Sequence, residues 1–247
     1  MRSSQEWVSY FKNNLEIKRI NWQQPATIAK REQKNVLKAL QAWQLGETSD
    51  GKNLLKASAA YAEKINDPYY IKAVQLFIRE EQKHGSNLGK YLDMIEQPRI
   101  QKNWGDTLFR KMRYLNNSME WWTLAVISVE STAQVFYQSL KDATQCKLLK
   151  EICTDILIDE APHIRFQQER LAIIFHSKGN AAKNLAFPFY KFFFLSTSIV
   201  VWFAHRRLFK SGGNNFTRYF RKMKFKCAKT IGKLKFSGDG NYALQPF

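Results

Sequence analysis

Residues 81–84 read Glu-Gln-Lys-His, and residues 160–163 read Glu-Ala-Pro-His. In each, the imidazole comes three positions after the acid, about one turn of an α-helix, so both side chains fall on one face. A carboxylate and an imidazole placed in this way can reach a single point beside the helix. The surrounding chain supports helices. From about residue 27 to residue 178 apolar residues recur with helical period, glycine is sparse, and the prolines are Pro68, Pro98 and Pro162. That composition argues against a sheet.

A first helix is predicted from about Thr27 to Ile65, ended by Asn66-Asp67-Pro68. Asp67 is expected to cap the second helix, whose first turn suits Pro68 and which runs to about Ile95. The stretch from Glu96 to about Asn117 contains Pro98, Trp104-Gly105 and a short helix capped by Asp106. It is too long for a tight turn and is predicted to be a crossover. A third helix follows from about Ser118 to Asp142, and a fourth, capped by Thr144, reaches roughly Ser177 before Lys178-Gly179-Asn180 stops it. Two antiparallel hairpins joined by one long crossover form an all-α four-helix bundle. The bundle is assigned to residues 27–180, preceded by an N-terminal segment (1–26) and followed by an apolar and basic helical extension (181–247).

A dinuclear site in the core of such a bundle needs two further carboxylates from the facing helices. Counting back from the turn at 66–68, Glu47 lies within about one turn of the level of Glu81 and His84, with Asp50 as a rival. Glu130 and Glu160 stand fifteen residues either side of a turn near 145, so they are almost level. Glu130 also interrupts an apolar run, LAVISVESTAQVFY, where an unpaired carboxylate would be costly to bury.

Glu47, the Glu81 and His84 pair, Glu130, and the Glu160 and His163 pair together resemble the six-ligand pattern of the ferritin-like di-iron carboxylate family, over roughly residues 40–170. The resemblance implies a ferritin-like fold in which these six side chains surround two metal ions. Carboxylate and imidazole donors without thiolate suit iron, with manganese the alternative. Similar family sites use an acid to hold a histidine's second nitrogen, a role the resemblance implies for Asp159. Glu80, its counterpart before Glu81, reads as a solvated charge on the helix face. Trp43 and Tyr137 are placed to face the site and are expected to pack the core. Pro162 is expected to bend its helix, and His176 and His205 lack a partner at ligand spacing.

Open positions on a redox metal pair suit oxygen or peroxide. The expected activity is therefore an oxygen- or peroxide-dependent oxidation of a small molecule. The alternatives are simple iron oxidation or peroxide removal, as in ferritins and rubrerythrins, and a non-enzymatic helical scaffold. Cys146, Cys153 and Cys227 lack the C-x-x-C spacing that rubrerythrin's second iron centre requires, and their odd number fits a reducing, cytoplasmic setting. Residues 1–25 have no apolar core of the kind a secretory signal carries.

The formal charge is +18, and residues 206–235 hold eleven basic and no acidic residues. Just before them, residues 185–204 are almost wholly apolar. Lys191 and Pro188 leave thirteen uncharged residues from Phe192 to Ala204, short of the ~20 that a spanning helix needs. Two readings remain: a fifth helix packed on the bundle, or peripheral attachment to the anionic inner face of a membrane. Nothing resembles a base-reading motif, so nucleic acid is not an expected partner. Self-association is left open.

Overall fold

The computed structural model describes residues 1–114 and 118–235, so part of the crossover and the end of the extension, including Phe236, lie outside it. Among the described residues every regular element is helical.

The N-terminal segment is a structural part of the protein. Helix α1 (Ser4–Leu15) opens with a capping box, in which Ser3 Oγ accepts from the Glu6 amide and Glu6 Oε2 accepts from the Ser3 amide. Trp7, Val8 and Phe11 recur at helical spacing and are buried, with Phe11 packed against Phe77 and Phe166. The signals were present in the sequence: Ser3-x-x-Glu6 followed by an apolar stripe.

The predicted first helix is two helices, α2 (Lys30–Glu47) and α3 (Lys52–Lys64). Gly51 adopts the left-handed conformation at φ +66° and ends the run. The second predicted helix is α4 (Pro68–Met94). Asp67 does not cap it with its side chain; Asp67 Oδ2 instead accepts from Ser4 Oγ and faces Arg170. In the crossover, α5 (Trp104–Tyr114) is capped by Asn103, whose Oδ1 accepts from the amides of Gly105 and Asp106. Asp106, the predicted cap, pairs with Arg110 one turn on.

The second hairpin is α6 (Met119–Ala143) and α7 (Lys147–His176). Ser118 caps α6 by accepting from the Trp121 amide. Thr144 sits in the turn between the helices, accepting from the Cys146 amide, and Cys146 takes the N-cap position. The helical assignment runs through Pro162 without a break.

The extension packs on the bundle, as the first of its two readings expects. Helix α8 (Asn180–Ser211) lies along α6 and buries Tyr190, Phe194, Trp202 and Phe209, and α9 (Phe216–Lys229) folds back to bury Tyr219, Met223 and Cys227. Residue His205 leaves helical geometry and kinks α8. A short 3-10 turn, Gly232–Lys235, follows.

Along α4 the apolar packing has a gap. One buried cluster ends at Ile78 and the next begins at Leu88. Glu80, Glu81 and His84 fill the interval, so the core is interrupted where the polar site lies.

Candidate metal centre

All six predicted side chains meet between the helices. Glu47 ends α2, Glu81 and His84 lie mid-way along α4, Glu130 is on α6, and Glu160 and His163 are on α7. Their ligand-capable atoms form two groups, Glu47 with His84 and Glu160, and Glu81 with Glu130 and His163. Within each group the atoms lie within 4.8 Å of one another. The glutamate of each Glu-x-x-His pair thus stands with the histidine of the other, so the two hairpins interlock at the site. Close helix approach makes this geometry available. A Cβ on Gly85 would stand 2.9 Å from Thr48 Cγ2 and 3.1 Å from the Glu47 carbonyl carbon, so glycine there lets α4 approach the end of α2. Asp50, the rival to Glu47, is exposed and pairs with Lys52.

The histidines are held from outside the cluster. His84 Nε2 lies 3.1 Å from Asp159 Oδ2, and His163 Nε2 lies 2.7 Å from Glu80 Oε2. Asp159 therefore takes the expected role. Glu80 corrects its reading as a solvated charge: it is fully buried and holds a histidine as Asp159 does. With Nε2 carrying the proton toward a carboxylate, Nδ1 of each ring is left as the lone-pair donor toward the cluster.

Sequence reasoning missed the residues behind these acids. Asn14, on α1, donates from Nδ2 to Glu80 Oε1 at 2.9 Å and to Asp159 Oδ1 at 2.8 Å. Both amide hydrogens are used, and its Oδ1 accepts from Arg19. Arg19 also donates to Asp155 and Asp159 at 2.8 and 3.0 Å, and Lys83 Nζ stands 3.8 Å from both. Two cations thus offset much of the charge of the three acids on this side, Glu80, Asp155 and Asp159. An Asn in the N-terminal segment, outside the predicted bundle, gives no local signal of such a role.

On the cluster side the balance is missing. Glu160 has both carboxylate oxygens buried without a hydrogen-bond partner, as does Nδ1 of His84, while Nδ1 of His163 lies 2.8 Å from Glu81 Oε1. Burial raises the pKa of Glu47, next to Glu81, to about 8. Burial likewise raises Glu130, and burial with Glu130 beside it holds Glu160 well above the usual carboxylate range. His163 is raised too: burial opposes its charge, but Glu81 and Glu80 outweigh burial. A protein stores so many orphaned polar atoms at a cost of roughly 1–3 kcal/mol each unless something fills the space between them. Four carboxylates and two neutral imidazoles carry the charge that two divalent cations cancel, and their donor atoms suit iron or manganese. The residues present therefore fit a metal pair.

Around the centre, Tyr137 donates to Glu47 Oε1 at 2.6 Å, and Trp43 stacks on Phe136 with ring centroids 4.0 Å apart. His205 packs edge-on against both Trp43 and Phe136, and burial lowers its pKa to about 4. A cavity of about 430 Å³ opens beside them between α2, α5, α6 and α8. Its inner end is formed by Glu47, Glu81 and Glu130, and its walls by aromatic and aliphatic side chains such as Trp43, Phe109, Trp121 and Phe193.

No protein-family model and no curated protein matches the chain. Solved structures do match. An R2-like ligand-binding oxidase mutant with an aerobically reconstituted Mn/Fe cofactor superposes with a TM-score of 0.67 at 16% identity, over 95% of this chain and 93% of its own. The chain has the ferritin-like fold. A second neighbour, an R2-like ligand-binding oxidase without metal cofactor, has a TM-score of 0.66 at 14% identity and covers 95% of this chain and 96% of its own. With 95% of this chain covered, the superposition extends beyond the four bundle helices.

Proposed function

We propose that this chain is a dinuclear-metal oxidoreductase that uses oxygen or peroxide to oxidise an apolar small molecule. Glu47, Glu81, Glu130, Glu160, His84 and His163 would hold two iron ions, with manganese the alternative. When bound, such a pair supplies redox chemistry and open positions for oxygen or peroxide. The observation that carries the reading is the cavity: its apolar walls lead inward to three of the four clustered carboxylates. A storage or scaffold bundle has no need of an apolar chamber ending on its metal ligands.

The chain's own residues then have definable tasks. Glu80 and Asp159 keep each imidazole in the tautomer that presents Nδ1. Tyr137, whose pKa burial and Glu47 drive well above the ordinary value, stays protonated and orients Glu47 through its hydroxyl. Trp43, Phe109 and Phe193 exclude water from the chamber and orient an apolar ligand toward the carboxylate end. The fold's likeness to R2-like ligand-binding oxidases with Mn/Fe cofactors supports this reading.

Metal analysis and anaerobic iron titration test it. Two transition-metal ions per chain and oxygen uptake by the reduced, loaded protein are expected, with Glu130→Ala or His163→Ala halving or abolishing the metal content. Mass spectrometry of an organic extract of the purified protein should find an apolar ligand. Protein without metal and without an oxygen-dependent absorbance change overturns the proposal in favour of a scaffold. Oxygen uptake that only oxidises added iron, leaving every organic molecule unchanged, points to iron oxidation instead.

A further inference from the structure

Helix α8 buries one face and leaves the other uncovered. Leu185, Phe189, Phe192, Val200 and Phe203 follow one another at helical spacing on the uncovered side. The exposure is large, at 76% for Leu185, 70% for Phe192 and 60% for Phe203. Such a stripe exceeds the scattered apolar residues of an ordinary surface. Phe189, Phe192 and Val200 also form the α8 side of the cavity mouth, and Leu108 of α5 stands on the other side. Trp104, in the first turn of α5, is 59% exposed.

Beyond Phe203 the exposed positions become basic, with Arg206, Arg207 and Lys210 in the next two turns. Arg218, Arg221, Lys222 and Lys224 continue the charge on α9, and Phe225 is 61% exposed among them. We infer that this face of α8, with its basic continuation, seats the protein on an anionic lipid bilayer with the cavity mouth turned toward the lipid. Entry of an apolar substrate from the bilayer rests on the oxidase reading above; the docking does not.

Charge decides between the occupants. A second copy seated face to face would bring the same acid-free basic stretch, residues 206–235, against itself. Nucleic acid would engage the basic residues and leave the apolar stripe in water. An anionic bilayer satisfies both parts: the aromatic and aliphatic side chains enter the interface, and the long basic ones reach the headgroups. Helix α8 is long and apolar enough by composition to cross a membrane, but 39% of its most apolar stretch is buried in the protein. Spanning would strip those residues, including Phe194 and Trp202, from the bundle, whereas lying on the surface leaves them packed.

Sedimentation of the full chain with phosphatidylcholine vesicles, with and without phosphatidylglycerol, tests the inference. Binding is expected to the anionic vesicles, weakening as salt is added. Leu185→Asp with Phe203→Asp, both exposed and outside the cavity lining, should lower vesicle partitioning by about tenfold or more while helicity and metal content stay unchanged. Arg206→Gln with Arg207→Gln and Lys210→Gln should flatten the salt dependence. The inference is overturned by absence of binding to anionic vesicles, or by binding that the aspartate pair leaves intact. It is equally overturned by a dimer in solution that the aspartate pair dissociates, which would make the stripe an interface between copies. Oxygen uptake without vesicles is measured separately, so failure of the oxidase reading and failure of docking are told apart.

Discussion

Nε2 of His163 on α7 lies 2.7 Å from Oε2 of Glu80 on α4. The acid orienting this histidine therefore precedes the opposite hairpin's Glu-x-x-His pair, and Asp159 repeats the arrangement for His84. Because α4 and α7 each carry one Glu-x-x-His pair of the cluster and the support for the other's histidine, neither half of the cluster can shift alone.

Removing a support should loosen metal without removing a ligand. Glu80→Ala and Asp159→Ala are each expected to weaken metal binding by about 10–100-fold, with two ions still bound at saturation. Competition titration against a chelator measures this. A variant that saturates at one ion would make its acid a ligand, and unchanged affinity would return it to a structural role.

Asn14 ties the two supports together from α1. Asn14→Ala leaves buried oxygens of Glu80 and Asp159 without their shared donor and should destabilise the protein by about 1–3 kcal/mol. It should also weaken metal binding, to a smaller degree than either acid variant. Denaturant unfolding and the same competition titration report the two effects, and an effect on stability alone would confine Asn14 to packing.

The metal-free protein should lose stability as pH rises. Glu47 goes from 4.5 when unfolded to about 8 when folded, and Glu130 and Glu160 move the same way, so between these values the folded state holds more protons. His163 has the same sign: its stabilisation is complete below its unfolded value of 6.5 and is lost as pH passes the raised folded value. Asp159 acts in the opposite direction, its contribution vanishing as pH falls below 3.8 toward its depressed folded value. Scanning calorimetry of the metal-free chain should show Tm lower by about 5–10 °C at about pH 8.5 than at about pH 5.5. Loading metal should release protons and flatten or reverse that trend. A Tm that rises with pH in the metal-free chain would contradict the assignment.

Gly46, beside Glu47, lines the cavity, and a Cβ built there meets nothing within 4 Å. Gly46→Ala should therefore be stabilising by up to about 1 kcal/mol through loss of glycine's chain entropy. Gly46→Phe should project into the chamber, leaving metal content intact while abolishing ligand retention. Thermal unfolding and mass analysis of the extracted ligand check both, and full ligand retention by the phenylalanine variant would separate the cavity from the function.

The cluster of six side chains was legible because its signals are local. One-turn spacing puts Glu81 with His84 and Glu160 with His163 whatever the rest of the chain does, and Glu130 declares itself as a lone acid in an apolar run. Glu47 could be reached by counting levels back from a turn; the unpredicted break before Lys52 lies inside that count, but α2 and α3 both pack along α4, and Glu47 still meets the level of Glu81 and His84. Helix α1 was not among the predicted helices, although its capping box and apolar stripe are local signals too; its contribution to the site has no such signal.

Only the tertiary structure decided the rest. Sequence determined that two carboxylate–imidazole pairs sit on helices of an all-α bundle. It did not determine which acid supports which histidine, because Glu80 looks the same on a helical wheel whether its face meets water or α7. Asn14 acquires its role from partners 66 and 145 residues away. The cavity likewise exists only because α8, whose composition alone fits a packed helix or a membrane-bound one, lies along α6 and closes one side of a chamber over the site. Spacing within a helix is set by the backbone; the choice of facing partner is set by long-range packing, which no local pattern records.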